Sequence, residues 1–319
     1  MSFNTIKGQE MALNIIKEYL KKGCLKGGYL FVGPQGVGKK MTALALAKAL
    51  NCDKDNFELC GDSCASCRKI ENRQHPDVRV LEEGDSDIKI EAIRQIQKEM
   101  SLRSYEGKFK IFIIDNAHRF TAEASNAILK ILEEPPPRSI IILISDKPRL
   151  LFKTVVSRCK TVKFNAMARE ELEILLIEGH GLKKDAAHFL AYFSEGRIGK
   201  AIENKEVDFL GEKNRIIDAF LNESRRDSVV FKTRDEFRSS LNILATWFRD
   251  IYMLKVGMPH KDMINSDRKG QLLKTMGRFS FLELNEIMSK ISDTLLCVEQ
   301  NINIRLLTDN LRMSIWKRT

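Results

Sequence analysis

The chain has 319 residues, 43% of them apolar and 30% charged, which excludes a disordered polymer, because such chains lack the apolar surface to offset ordering entropy. Its longest clean apolar runs, Ile111–Ile114 and Ile140–Ile144, fall far short of the roughly 20 residues that cross a bilayer, and no basic-then-apolar leader opens it, so a soluble cytoplasmic protein with no membrane partner is expected. A balance of 53 Lys+Arg against 43 Asp+Glu gives +10, which suits a polyanionic partner without demanding one, since only a clustered basic face binds nucleic acid.

At roughly 100–200 residues per domain, two or three domains are expected. The first clear element is a short apolar strand, Gly28–Val32. It runs into Gly33-Pro34-Gln35-Gly36-Val37-Gly38-Lys39-Lys40, and a helix-forming stretch follows over Met41–Leu50. Strand, glycine-rich loop, helix is the setting of a phosphate-binding loop of the form G-x-x-x-x-G-K-[S/T]. There, backbone amides and a helix N-terminus cradle phosphates, the lysine meets the outer oxygens, and the final hydroxyl holds Mg²⁺. Gly33, Gly36, Gly38 and Lys39 provide the cradle, but Lys40 stands where the hydroxyl belongs. Thr42 cannot take over, because two residues along a helix it projects from nearly the opposite side.

Next come Cys52, Cys60, Cys64 and Cys67, spaced x7, x3 and x2 within sixteen residues. In a compartment that keeps thiols reduced, such a cluster reads as four thiolates around zinc rather than two disulfides or four unrelated thiols. Four protein ligands leave no open position, so the Zn²⁺ is expected to be structural. Cys24, Cys159 and Cys297 are isolated and read as small apolar fillers.

Further apolar runs at Val78–Leu81, Lys110–Asp115, Ile140–Ser145 and Val162–Phe164 read as strands. Ile90, Ile93, Ile96 and Met100, then Ala124, Ile128, Ile131 and Leu132, mark intervening helices. This alternation predicts an α/β fold, a mostly parallel sheet with helices on both faces. The strand over Ile111–Ile114 ends in Asp115, the usual place for a carboxylate that orients Mg²⁺. Asn116 follows it, and an amide cannot serve as a base to activate water. With both hydroxyl and base missing, hydrolysis is expected to be weak or absent, while Lys39 and the glycines leave ATP/Mg²⁺ binding open. Ser145 ends another strand, and His75 and His118 read as turn or loop histidines.

Beyond Phe164 the strand signals stop. Arg169–Ile177, Lys183–Phe193 and a segment from Lys200 read as short helices, and the charged stretch Lys205–Lys213 reads as a boundary. Two long amphipathic helices follow, one through Phe237, Leu241, Leu244, Phe248 and Ile251, the other through Leu284, Ile287, Ile291, Leu295, Val298 and Ile302.

The loop Gly33–Lys40, the cysteine insert, His75-Pro76-Asp77, Ile111–Asp115, Ala124–Pro136 (ASNAILKILEEPP) and Ser157-Arg158-Cys159 together resemble the AAA+ clamp-loader subunits of bacterial DNA polymerase III, and within them the delta-prime type. The stretch Leu132–Pro136 and the Ser-Arg-Cys triplet are the most specific. The resemblance is strong over the first half and beyond Phe164 rests on the helical pattern and Gly196–Ala201. It implies an AAA+ P-loop-like domain with a zinc-binding insert over 1–165, a small helical lid over 166–207 and an all-α collar over 208–319 through which subunits join. It also implies a place in DNA replication, with gamma/tau and delta subunits as partners and, through the complex, the sliding clamp and primer-template DNA.

Gamma-type members of the family hydrolyse ATP, whereas the delta-prime type is a largely rigid partner. Lys40, Asn116 and Gly199, the last standing where active members carry a lid arginine, align this chain with the second type. Arg158 would then act in trans, its guanidinium reaching a triphosphate bound to a neighbouring subunit. Such fingers contribute on the order of 10³–10⁵ in rate in other NTPases. Two rivals stay open at this point: a competent gamma-like ATPase, and a zinc-dependent DNA-binding module, which the lack of interleaved aromatics and recognition-helix spacing disfavours.

Overall fold

A computed structural model describes residues 3–23, 25–54, 63–84, 86–205, 208–222, 230–259, 262–300 and 302–316. Cys24 and Cys60 lie outside the described residues. The chain divides into two compact units, Met1–Ala168 with Gly196–Gly199, and Arg169–Glu195 with Lys200–Thr319.

The first unit runs α1 (Glu10–Lys21), β1 (Gly27–Val32), α2 (Lys39–Asn51), α3 (Ala65–Glu71), β2 (Val78–Leu81), α4 (Ile90–Ser101), β3 (Lys110–Ile114), α5 (Ala122–Glu133), β4 (Ser139–Ser145), α6 (Lys153–Val156) and β5 (Cys159–Lys163). The strands form one sheet in the order β2-β3-β4-β1-β5, and every neighbouring pair is parallel. Two apolar layers cover it. Tyr29, Phe31, Ile111, Ile113, Ile140 and Ile142 pack on one face against Leu13 and Ile16 of α1 and Ala43 and Leu46 of α2. Leu30, Phe112, Ile114, Ile141 and Leu143 pack on the other against Ile93 and Ile96 of α4 and Ile128 and Leu132 of α5.

The position of each strand explains its sequence. β3 and β4 are buried at every residue, and a strand covered on both faces has no polar side to alternate with. β5 is an edge strand, exposed at Lys160, Thr161 and Lys163 and buried at Val162, so its signal is a single apolar residue among cations. It spans Cys159–Lys163 rather than the expected Val162–Phe164.

The second unit is helical: α7 (Arg169–Glu178), α8 (Lys184–Phe193), α9 (Ile198–Lys205, its first residues counted with the sheet unit), α10 (Phe209–Leu221), α11 (Arg234–Lys255), α12 (Lys269–Met276), α13 (Phe281–Glu299) and α14 (Ile304–Trp316). The axis of its core is α11, which buries Phe237, Leu241, Leu244, Trp247, Phe248 and Ile251. Capping boxes start α11 and α13, with Thr233 and Ser280 accepting from the N–H of Glu236 and Glu283, whose carboxylates accept from the cap N–H in return. Part of the charged stretch expected to be a boundary is the N-terminal part of α10, where Lys213 is fully buried and donates to Asp267 at 2.5 Å. Among the described residues no helix is long and apolar enough to cross a membrane.

Candidate functional site

The phosphate loop lies at the end of β1. Gly36 and Gly38 take φ of 79° and 98°, the left-handed region that glycine enters without cost. Gly33 is required by space: a Cβ there would lie 2.2 Å from the carbonyl oxygen of Phe164. The loop leads into α2, whose first residue, Lys39, is buried. Lys39 Nζ donates to the carbonyls of Gly33 and Pro34, both at 2.6 Å. Burial pulls its ammonium below the ordinary lysine value, against the nearby charges of Asp146 and Asp115. The amide of Gly199 donates to Gly36 O at 2.7 Å, and a Cβ at 199 would meet that oxygen at 2.9 Å. A side chain at this position would therefore displace the backbone that rests on the loop.

Lys40 points the other way. Its Nζ lies 2.7 Å from Glu82 Oε1 and 3.9 Å from Asp115 Oδ2, and Arg73 NH1 meets the same Glu82 oxygen at 2.9 Å. Thr42 is fully buried, and its hydroxyl donates to Gly38 O at 2.9 Å. Asp115 Oδ1 accepts from the N–H of Asn116, a residue in the left-handed region at φ 52°. Ser145 lies beside this group, with Oγ 3.3 Å from His118 Nδ1, which is itself 3.4 Å from Asp146 Oδ1. The structure thus gathers Lys39, Lys40, Asp115, Ser145 and His118 and adds Glu82, Arg73 and Asp146, which sequence reading missed. Glu82 carried a signal of the same kind as Asp115, an acid directly after an apolar strand.

Of the four cysteines, Cys52, Cys64 and Cys67 converge, with sulfur atoms all within 4.8 Å of one another. Cys52 Sγ and Cys64 Sγ are 4.0 Å apart, close to the roughly 3.8 Å between sulfurs that Zn–S bonds of about 2.3 Å impose in a tetrahedron. Backbone N–H groups of Lys54 and Cys67 donate to Cys52 Sγ and Cys64 Sγ, each at 3.4 Å, an arrangement that disperses thiolate charge. The donor set fits zinc. Adjacent to it, Asp77 accepts from the N–H groups of Tyr105, Glu106 and Gly107 at 2.8–2.9 Å, while His75 Nδ1 accepts from Asp77 N–H at 3.1 Å. The His-Pro-Asp triplet is thus a clasp on the loop before β3.

Arg158 sits between α6 and β5. It is paired within the chain: Nε donates to Glu133 Oε1 at 2.5 Å, NH2 approaches the same oxygen at 2.5 Å, and NH1 donates to Thr154 O at 3.0 Å. The pair is not sequestered, since the two side chains keep 35% and 50% of their exposure. Cys159 next to it is inert, its thiol pushed up to about 12 by burial. The two most specific motifs meet at Gly28, where a Cβ would lie 2.5 Å from Leu132 Cδ2 and 3.0 Å from Cys159 Sγ. Glu133 and Arg158 follow and precede those contacts, so β1 fixes both ends of the ion pair.

The model of the family described as "DNA polymerase III, delta subunit" matches residues 8–168. The chain is 27% identical over 319 residues to DNA polymerase III subunit delta' of Bacillus subtilis, covering 95% of this chain and 94% of that protein. It is 32% identical over 206 residues to subunit tau of Escherichia coli, covering 63% of this chain but 32% of tau. Among solved structures, a DNA polymerase III gamma subunit-related protein of Thermotoga maritima shares the fold, at a TM-score of 0.50 and 16% identity over 98% of this chain and 99% of that one.

Proposed function

Because the chain belongs to the DNA polymerase III delta-subunit family, we propose that it is a delta-prime clamp-loader subunit in DNA replication, impaired in hydrolysis at its own loop and acting on a neighbour's. The full-length likeness to a delta' subunit supports this reading over a gamma or tau one. The observation that carries it is the state of the loop: a lysine ammonium lies between the two carboxylates beside it, and Asn116 stands where a base would be needed.

ATP, in this reading, is turned over next door, and Arg158 is the finger that reaches it. Its partner Glu133 is half exposed, and exposed pairs of this kind are worth about 0–1 kcal/mol. A polyphosphate, carrying more charge than one carboxylate, draws the guanidinium away at little cost. Helices in 166–207 form the lid and those in 208–319 the collar, which joins gamma/tau and delta subunits. Through that complex the protein serves the sliding clamp and primer-template DNA in the cytoplasm. Structural zinc on Cys52, Cys64, Cys67 and Cys60 holds the insert.

Single-turnover assays of the isolated chain with ATP and Mg²⁺ test the first half of this reading. No hydrolysis is expected. Clear hydrolysis that Lys39→Ala abolishes would favour the gamma-like ATPase instead.

A further inference from the structure

Magnesium demands near-octahedral oxygen ligands at about 2.0–2.1 Å. Around the loop, side-chain cations already face the carboxylates that would supply them. Glu82 Oε1 is held by Lys40 Nζ at 2.7 Å and by Arg73 NH1 at 2.9 Å, and Asp115 Oδ2 faces the same Lys40 ammonium at 3.9 Å. Position 40 offers no hydroxyl, and the one hydroxyl nearby on the helix, that of Thr42, is buried and spent on Gly38 O. The residues present do not fit a divalent cation. We infer that Lys40 is a tethered cation that takes the magnesium position and keeps divalent ions off the Glu82–Asp115 pair.

Charge explains how one side chain does this. Two carboxylates at the end of a parallel sheet attract a cation, and an ammonium on a flexible stem satisfies them without leaving the chain. A metal ion entering would stand within a few ångströms of Lys40 and Arg73, where like charges at a partly exposed site repel strongly. The ammonium lacks what the metal would contribute, a fixed coordination shell that holds a phosphoryl oxygen in place. It does add a mechanical link. Lys40 belongs to the first turn of α2, Glu82 follows β2 and Arg73 follows α3, so the charge group ties the loop to the end of the cysteine module's helix with no ligand present.

This inference rests on the reading of an inactive local loop, but its test needs neither nucleotide nor a partner subunit, so the two can fail separately. Methyl-labelled full chain is titrated with Mn²⁺, whose paramagnetism broadens signals near it; Leu81 and Ile114 adjoin Glu82 and Asp115 in sequence. In the unaltered protein these methyl signals are expected to keep their intensity in millimolar Mn²⁺. In Lys40→Thr they broaden, with an apparent affinity at least about tenfold tighter, and adding Asp115→Asn restores them. Lys40→Met, which keeps most of the stem, gives the same gain should the threonine variant fold poorly. Broadening in the unaltered protein, or none in either Lys40 variant, would overturn the inference.

Discussion

Within Gly33–Lys40 a single residue departs from the phosphate-loop pattern, Lys40 in the hydroxyl position, and its consequences are electrostatic before they are steric. Lys39 and the glycines keep the geometry of a phosphate cradle, with Lys39 turned onto the loop's own carbonyls. Lys40 pairs with Glu82 and faces Asp115, the position that we infer a metal would otherwise take. That the hydroxyl was missing could be read from the sequence. The partner of its replacement could not, since Glu82 is supplied by a different strand and only the parallel register brings β2 beside β3. Gly28 offers a second residue-scale test. Its absent Cβ makes room for Leu132 and Cys159, so Gly28→Ala overpacks the seam between β1, α5 and β5 and is expected to cost about 1–3 kcal/mol, read as a lower urea midpoint. A midpoint no lower than that of the parent would show that the seam relaxes freely. Histidines set the response to acid. Burial holds His75 and His118 below the usual imidazole value, against the opposing charges of Glu106 and Asp146. A depressed histidine means that the unfolded chain takes up protons first as pH falls below about 6.5. Stability is therefore complete above that pH and declines on acidification towards the lowered native values. The urea midpoint should fall in this window and fall less in His75→Asn; a midpoint that rises on acidification would contradict the assignment.

Elements were legible where one environment covers the whole segment. β3 and β4 are buried on both faces and read as unbroken apolar runs, and α11 follows the helical period through its core, as does α13 at Leu284, Ile287, Ile291 and Val298, although α13 ends at Glu299, short of the expected Ile302, and Leu295 is only half-buried. Legibility failed where a polar residue occupies a core position. In α10, Lys213 is fully buried among Phe209, Ile216, Ile217 and Phe220 because Asp267, far along the chain, neutralises it. Nothing local announces that pairing, so the segment reads as a charged boundary. Helix α12 has only Leu272 and Thr275 buried, too few to set a period. The cysteine module is the element with the most to lose from one ligand. Cys52 caps the end of α2 and Cys64 the start of α3, so a bound metal would join the two helices beside the contact that Ile70 makes with the core, and structural zinc sites contribute folding free energy outright. Purified protein is expected to contain stoichiometric zinc, and Cys52→Ser to lose it together with amide-exchange protection in α3. Protein free of zinc with α3 equally protected would count against the module being a metal site.

At the scale of the whole molecule, the chain divides into a sheet unit and a helical unit, and in the proposed function the exposed Arg158–Glu133 pair of the sheet unit is what opens to a partner's nucleotide. The motif around Arg158 was visible in the sequence through its resemblance to the family's Ser-Arg-Cys triplet; the ion pair that parks the guanidinium was not, because Glu133 reads equally well as a helix-end acid. The contacts of Arg158 to Thr154 and Glu133 are exposed, and exposed pairs contribute about 0–1 kcal/mol, so its replacement is expected to leave the fold intact. The most direct measurement is DNA-stimulated ATP turnover by the reconstituted clamp loader carrying Arg158→Ala in this chain, with assembly checked by size. Turnover is expected to collapse at the adjoining site, by on the order of 10³ if the finger acts as in other NTPases, and to return in part with Arg158→Lys. Turnover equal to that of the unaltered complex, in a fully assembled particle, would contradict the account.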